Sequence, residues 1–148
     1  VNNVLLHFIF GLLGTVAYCY LFHIPKRYYL SCGLIGGVGW LIYVLILNCG
    51  LGDTFAGLIS TVFVALASRI ASVYMECPST VFLYPGILPI IPGGSIYETV
   101  YFIVANDTSA ALMKGLTAIK ITVAMVIGIV IIYEIPQRYI AKLRRHGN

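Results

Sequence analysis

Five apolar stretches, 4–22, 28–48, 54–73, 78–105 and 109–135, take up most of this chain, each of about the length that crosses a bilayer. Lipid offers backbone amides and carbonyls no partners, so a spanning segment must satisfy them internally or in a closed barrel. A run of about 20 apolar residues is the length of one spanning α-helix. The expected fold is therefore all-α: a polytopic helical membrane protein with about five transmembrane helices in one transmembrane domain over residues 1–148. Composition excludes the soluble alternative. Charged residues make up 9% of the chain, against about 25% in soluble domains, so too little polar surface exists to coat a globule in water.

The first run has no basic segment before it and no small-residue cleavage site after it, which reads as a retained span rather than a leader. Basic residues bias a loop to the cytoplasm. Lys26 and Arg27, Arg69, and the tail 137–148 with Arg138, Lys142, Arg144 and Arg145 all fall on one side if the chain crosses five times. The N-terminus is then outside and the C-terminus inside, in the cell (plasma or inner) membrane. The turns at Asp53 and at Asn106–Thr108 face outward. A four-span alternative makes residues 78–92 a re-entrant loop.

The fourth run is unlike the others. Four of the six prolines lie in it, Pro78, Pro85, Pro89 and Pro92, with Gly86, Gly93 and Gly94 between and after them. Proline removes a backbone donor and clashes with the preceding turn. The expected helix breaks are at Pro85-Gly86, Pro89 and Pro92-Gly93-Gly94. Interrupted spans in transporters place helix ends at the substrate. After the last break, Ser95-Ile96-Tyr97-Glu98 has the spacing of a capping box, in which Ser95 and Glu98 each satisfy an amide of the first turn. This predicts a fresh helix beginning at Ser95, close to the bilayer midplane. Its positive pole and open amides suit an anionic group. Pro92, Gly93, Gly94, Ser95 and Tyr97 are thus the candidate substrate-binding residues. A plain loop with an ordinary cap fits the same residues.

Two charges remain to be placed. Glu98 serves either as the box carboxylate or as a protonatable coupling group. Lys120 lies near the centre of the fifth run, where a charge costs about 2.5–3.5 kcal/mol. It pairs with Glu98, with a carboxylate of a partner chain or with an anionic substrate, or it snorkels to the interface. Lys114 is nearer the outer end, and Arg69, Glu76 and Glu134 read as interfacial. Gly33-x-x-x-Gly37 and Gly11-x-x-Gly14 are small-residue faces that let helices approach closely, read first as packing within the chain. The lone His7 and His23 read as packing or interfacial residues. Cys19, Cys32, Cys49 and Cys77 are scattered, so neither a disulfide framework nor a metal site is indicated. No phosphate loop, nucleophile array or cofactor motif occurs, so enzyme chemistry is not expected. The basic residues flank the membrane, which favours anionic lipid over nucleic acid.

The run from Pro78 through Pro85-Gly86, Pro89, Pro92-Gly93-Gly94 and Tyr97, with the glycine-rich second span ending at Trp40 and Ser68-Arg69 before the prolines, resembles the C-terminal membrane domain of the threonine/serine exporter family. The resemblance is to its short-subunit form and covers essentially the whole chain. It implies a secondary transporter that exports small hydroxy amino acids, driven by the proton gradient and completed by a companion membrane subunit. It also leaves open export of C4 dicarboxylates such as succinate. The family motif falls on Pro85, Gly86, Pro89, Pro92, Gly93 and Tyr97. A non-transporting scaffold subunit is the competing reading, and a higher oligomer is compatible with either. Few polar residues line any helix face, which argues against a wide aqueous channel.

Overall fold

A computed structural model describes residues 4–136, and all regular structure among them is helical. The helices are α1 (Val4–Leu21), α2 (Tyr29–Asn48), α3 (Asp53–Met75), α4 (Thr80–Ile87), α5 (Gly93–Val104) and α6 (Thr108–Glu134). Short 3-10 turns, Lys26–Tyr28 and Leu88–Ile90, precede α2 and follow α4. The basic tail at 137–148 lies outside the described residues. Four helices are long and apolar enough to cross a membrane. Thr80–Ile90 and Gly93–Val104, bent by 50° at their junction, make a fifth crossing if they form one broken span. This is the architecture of a multi-pass membrane protein.

Small residues set the helix spacing. In lipid, close backbone approach replaces the hydrophobic drive. A side chain added at Gly33 would begin 2.9 Å from Val16, and one at Gly37 would begin 3.2 Å from Leu12 and Phe8. Gly36 lies against Thr15, whose hydroxyl turns back to donate to the Gly11 carbonyl at 2.7 Å. Gly11 itself is covered by Trp40. The glycine pair of α2 thus packs inside the chain, as expected, whereas nothing lies within 4 Å of the place a side chain would take at Gly14. The α2–α3 turn needs its glycines for another reason: Gly50 and Gly52 have φ of 75° and 82°, where other residues are strained.

The interior holds two clusters. Val64, Ala65, Leu83, Ile90, Ile121, Met125 and Ile132 join α3, α4 and α6. Cys19, Tyr28, Cys32 and Phe82 join α1, α2 and α4, with Tyr28 edge-on to Phe82 at 5.6 Å. Val64 stands at the middle of α3, facing Gly39 of α2 and Gly86 of α4.

Pro85 and Gly86 do not break the helix, contrary to the sequence expectation; both lie within α4 and are buried. Proline at 85 leaves the carbonyl one turn back, on Val81, without its amide. The Cys32 thiol of α2 donates to that carbonyl at 3.6 Å. Gly86 supplies no side chain, so α4 seats against Val64, 2.9 Å from where one would begin. The interruption comes later, at the 3-10 turn holding Pro89 and at Ile91–Pro92, where Ile91 is extended with ψ of 132°.

Candidate functional site

α5 starts at Gly93 with Pro92 before it, three residues earlier than the capping box requires, and Pro92 caps nothing with its side chain. The box does not form. Ser95 sits in the third helical position, and its carbonyl accepts the Thr99 hydroxyl at 2.6 Å. Glu98 instead reaches Lys114 of α6, Oε2 to Nζ 2.6 Å. A full ammonium outcompetes a single amide for a carboxylate, and glycine at 93 and 94 lets the helix begin without a side-chain cap. Lys114, not Lys120, is therefore the cation that pairs with Glu98.

The start of α5 is open. Gly93 and Gly94 are exposed, with no heavy atom within 4 Å of a side-chain position, while Pro92 is buried and Ser95 half-buried. The Gly93 amide is taken by the Ile91 carbonyl at 2.7 Å, and the Ile96 amide by that of Pro92 at 3.1 Å. The amides of Gly94 and Ser95 belong to the first turn, which has no carbonyl one turn back within the helix. Tyr97 is 71% exposed on the outer side of α5 and does not close over them.

The depth of this start differs from the sequence expectation. Thr99 lies beside Gly115, with Glu98 on Lys114, so the antiparallel run places Gly93 about level with Ile121. Ile121 lies over Gly57, 3.1 Å from where a side chain there would begin. Gly57 is about 10 Å along α3 from Val64. The start of α5 is thus displaced from the middle of the bundle toward the α2–α3 turn. Beyond it, α5 and the first turns of α6 pack together as an arm, and α5 contributes no fully buried residue. Lys120 is at the base of this arm, level with the first turn of α3, and exposed. No carboxylate among the described residues pairs with it.

Sequence reasoning missed two groups. The first is Arg69, read as interfacial but only 5% exposed. Its guanidinium donates to the Ile132 carbonyl and lies 5.4 Å from the centre of the Tyr133 ring. Carbonyls at the end of a helix run short of donors; that of Ile132 accepts the Ile135 amide at 3.3 Å, and arginine from α3 gives it a second, charged donor. Tyr133 continues the link, its hydroxyl 2.9 Å from that of Ser79 at the start of α4. The second is a buried polar line on α3: Ser60, Thr61, Ser68 and Ser72. Its signal was legible in the recurrence of small and hydroxylated residues every three or four positions. A groove of about 340 Å³ also opens beside the break, lined by His7, Gly11, Gly14, Tyr18, Trp40 and Pro89. No group of His, Cys, Asp and Glu suited to a metal ion occurs among the described residues.

Residues 7–135 match a family described as Threonine/Serine exporter, ThrE. Over 108 residues the chain is 26% identical to a "Probable threonine/serine exporter" of Mycobacterium tuberculosis (strain ATCC 25618 / H37Rv), an alignment covering 72% of this chain and 20% of that protein. The chain therefore spans about one fifth of the length of this curated relative. No solved structure matches the chain.

Proposed function

Given that this chain belongs to the threonine/serine exporter family, whose members are transporters rather than enzymes, we propose that it is a subunit of a proton-coupled secondary exporter of threonine and serine. The observation that carries the reading is the opened helix start at Pro92–Ser95 after the half-buried Pro89 turn. A solute carboxylate held there meets the amides of Gly94 and Ser95 and the positive end of a twelve-residue helix. Tyr97 borders the site. Glu98 and Lys114 balance each other beside it, so a proton on Glu98 would release Lys114 and change the local charge. Glu98 is thus the coupling group, with Lys120 as a further cation at the arm's base.

A site this open needs a cover, and a companion membrane subunit supplies it in this reading. The relative of which this chain matches one fifth is consistent with a larger whole. The contacts of Tyr28 with Phe82, Arg69 with Ile132 and Ser79 with Tyr133 gather Lys26, Arg27 and Arg69 at one end of the bundle. That end is the cytoplasmic one by the positive-inside rule, with the N-terminus outside and the C-terminus inside.

The scaffold reading has one observation in its favour: α5 packs on α6 and buries nothing fully, as an assembly element would. Efflux of labelled threonine, serine and succinate from cells expressing this chain, alone and with a companion subunit, separates the readings. Efflux of the hydroxy amino acids that stops when the proton gradient collapses supports the proposal. Efflux of succinate alone moves the substrate to C4 dicarboxylates. A scaffold would keep full transport after alanine replacement of Ser95, Tyr97, Glu98 and Lys120 in an assembled complex.

A further inference from the structure

Hydroxylated residues inside apolar helices ordinarily donate to the carbonyl one turn back. Thr15, Ser60, Thr99, Thr117 and Thr122 all do so here. Thr61 and Ser68 do not. Both are completely buried, and neither hydroxyl has a partner. An unsatisfied buried donor costs about 1–3 kcal/mol, and such groups in native proteins call for an explanation in function or bound solvent.

The two lie on one line. Seven residues turn an α-helix through about 700°, some 20° short of two full turns. Val64 lies between them along α3 and stands at the centre of the bundle, against Gly39 and Gly86. Thr61 and Ser68 therefore bracket mid-depth, on the face of α3 whose Val64 lies in the seam with α2 and α4. α4, which meets Val64 there, is short, ends in the 3-10 turn with Pro89, and is joined to α5 through the extended Ile91. At Gly86 that contact has no interlocking side chain. At one end of the seam Arg69, next to Ser68, holds a positive charge that is itself nearly buried.

We infer that this face of α3, in its seam with α2 and α4, is the solute path of this transporter, and that Thr61 and Ser68 are successive polar stations for a small carboxylate-bearing solute as it crosses mid-depth. This rests on the exporter reading and adds to it the part of the path that the start of α5 does not reach. Each hydroxyl donates to a carboxylate or accepts from an ammonium, the two being about 10 Å apart along the helix. Arg69 biases the seam toward the anionic end of the solute. In the closed arrangement seen here, both hydroxyls are buried.

The test uses cysteine at Thr61, Ser68 and, as a packed control, Ala56, fully buried about 140° around α3 from Thr61, each in cells exporting labelled threonine, serine or succinate. Labelling by a small cationic methanethiosulfonate is compared during and without turnover, against wild type for the native thiols. T61C and S68C should react at least tenfold faster during turnover, and saturating solute should slow them. A56C should stay unreactive. T61S should keep the KM for export, and T61V and S68A should raise it severalfold with the same amount of protein in the membrane. Positions 61 and 68 no more reactive than 56 while export proceeds would overturn the inference and leave the exporter reading standing. Absence of export by wild type for all three solutes would remove the exporter reading and this inference with it.

Discussion

The Cys32 thiol donates to the Val81 carbonyl, the one carbonyl in α4 that Pro85 leaves without an amide. A residue on α2 thus completes a hydrogen-bond ladder that proline interrupts on its neighbour. The bond is weak, since a thiol is a poor donor. Replacing Cys32 with alanine should cost about 0.5–1.5 kcal/mol, and C32S should cost less. In a P85A background the Cys32→Ala cost should shrink, because alanine in place of the proline supplies the missing amide. Thermal unfolding in detergent across the four combinations measures the coupling. Equal losses in both backgrounds would refute the relationship.

The close α1–α2 contact predicts an asymmetric response to added methyl groups. Gly36→Ala pushes a methyl into Thr15 and should destabilise by about 1–3 kcal/mol, the usual cost of overpacking. Gly14→Ala meets open space within 4 Å and should change little. Adding T15A to G36A should recover much of the loss. Unfolding midpoints of the purified variants provide the comparison.

Arg69 holds the end of α6, and its planar group matters as well as its charge. Removing a charged hydrogen bond costs about 1.5–3 kcal/mol. R69Q should lose about that much, and R69K should not restore it, because an ammonium cannot both reach the Ile132 carbonyl and stack on Tyr133 as a guanidinium does. Y133F should lose only the Ser79 hydroxyl contact. Protease sensitivity of the α6 end should follow the same order, with R69Q cleaved faster than Y133F.

Asp107 caps α6 at the turn outside the apolar spans. The Ala110 amide, at 3.1 Å, and then the Ser109 hydroxyl, at 2.9 Å, hold its carboxyl below the ordinary carboxylate range. A lowered folded-state value means that the cap's contribution is complete above the unfolded carboxylate range, near pH 4, and declines as pH falls through the lower folded value. The unfolding midpoint should therefore drop on acidification below that range. D107N should keep a cap and flatten this part of the profile, whereas D107A should lose the cap at every pH.

The helices themselves were legible because their cause is local: each apolar run must satisfy its own backbone, and the turns carry glycine, proline or aspartate where φ or capping requires it. The glycine face at Gly33 and Gly37 was readable for the same reason, as close packing in lipid needs small residues at helical spacing. The candidate site was legible only as a region. Ser95 and Glu98 have capping-box spacing, yet the spacing says nothing of Lys114, which arrives from another helix and takes the carboxylate. Proline at 85 signals a break to any local argument, since only a neighbour such as Cys32 can relieve it.

What the sequence by itself determined is the class of molecule, the order of its helices and the neighbourhood of its interruption, all consequences of hydrogen bonding along one chain in a medium without water. Tertiary structure alone decided where the interruption falls, which cation meets Glu98, how deep Gly93 and Lys120 lie, and that Arg69, Thr61 and Ser68 are interior. Those outcomes depend on which helix stands opposite and at what height, and burial and pairing are properties of that opposing surface rather than of the residue itself.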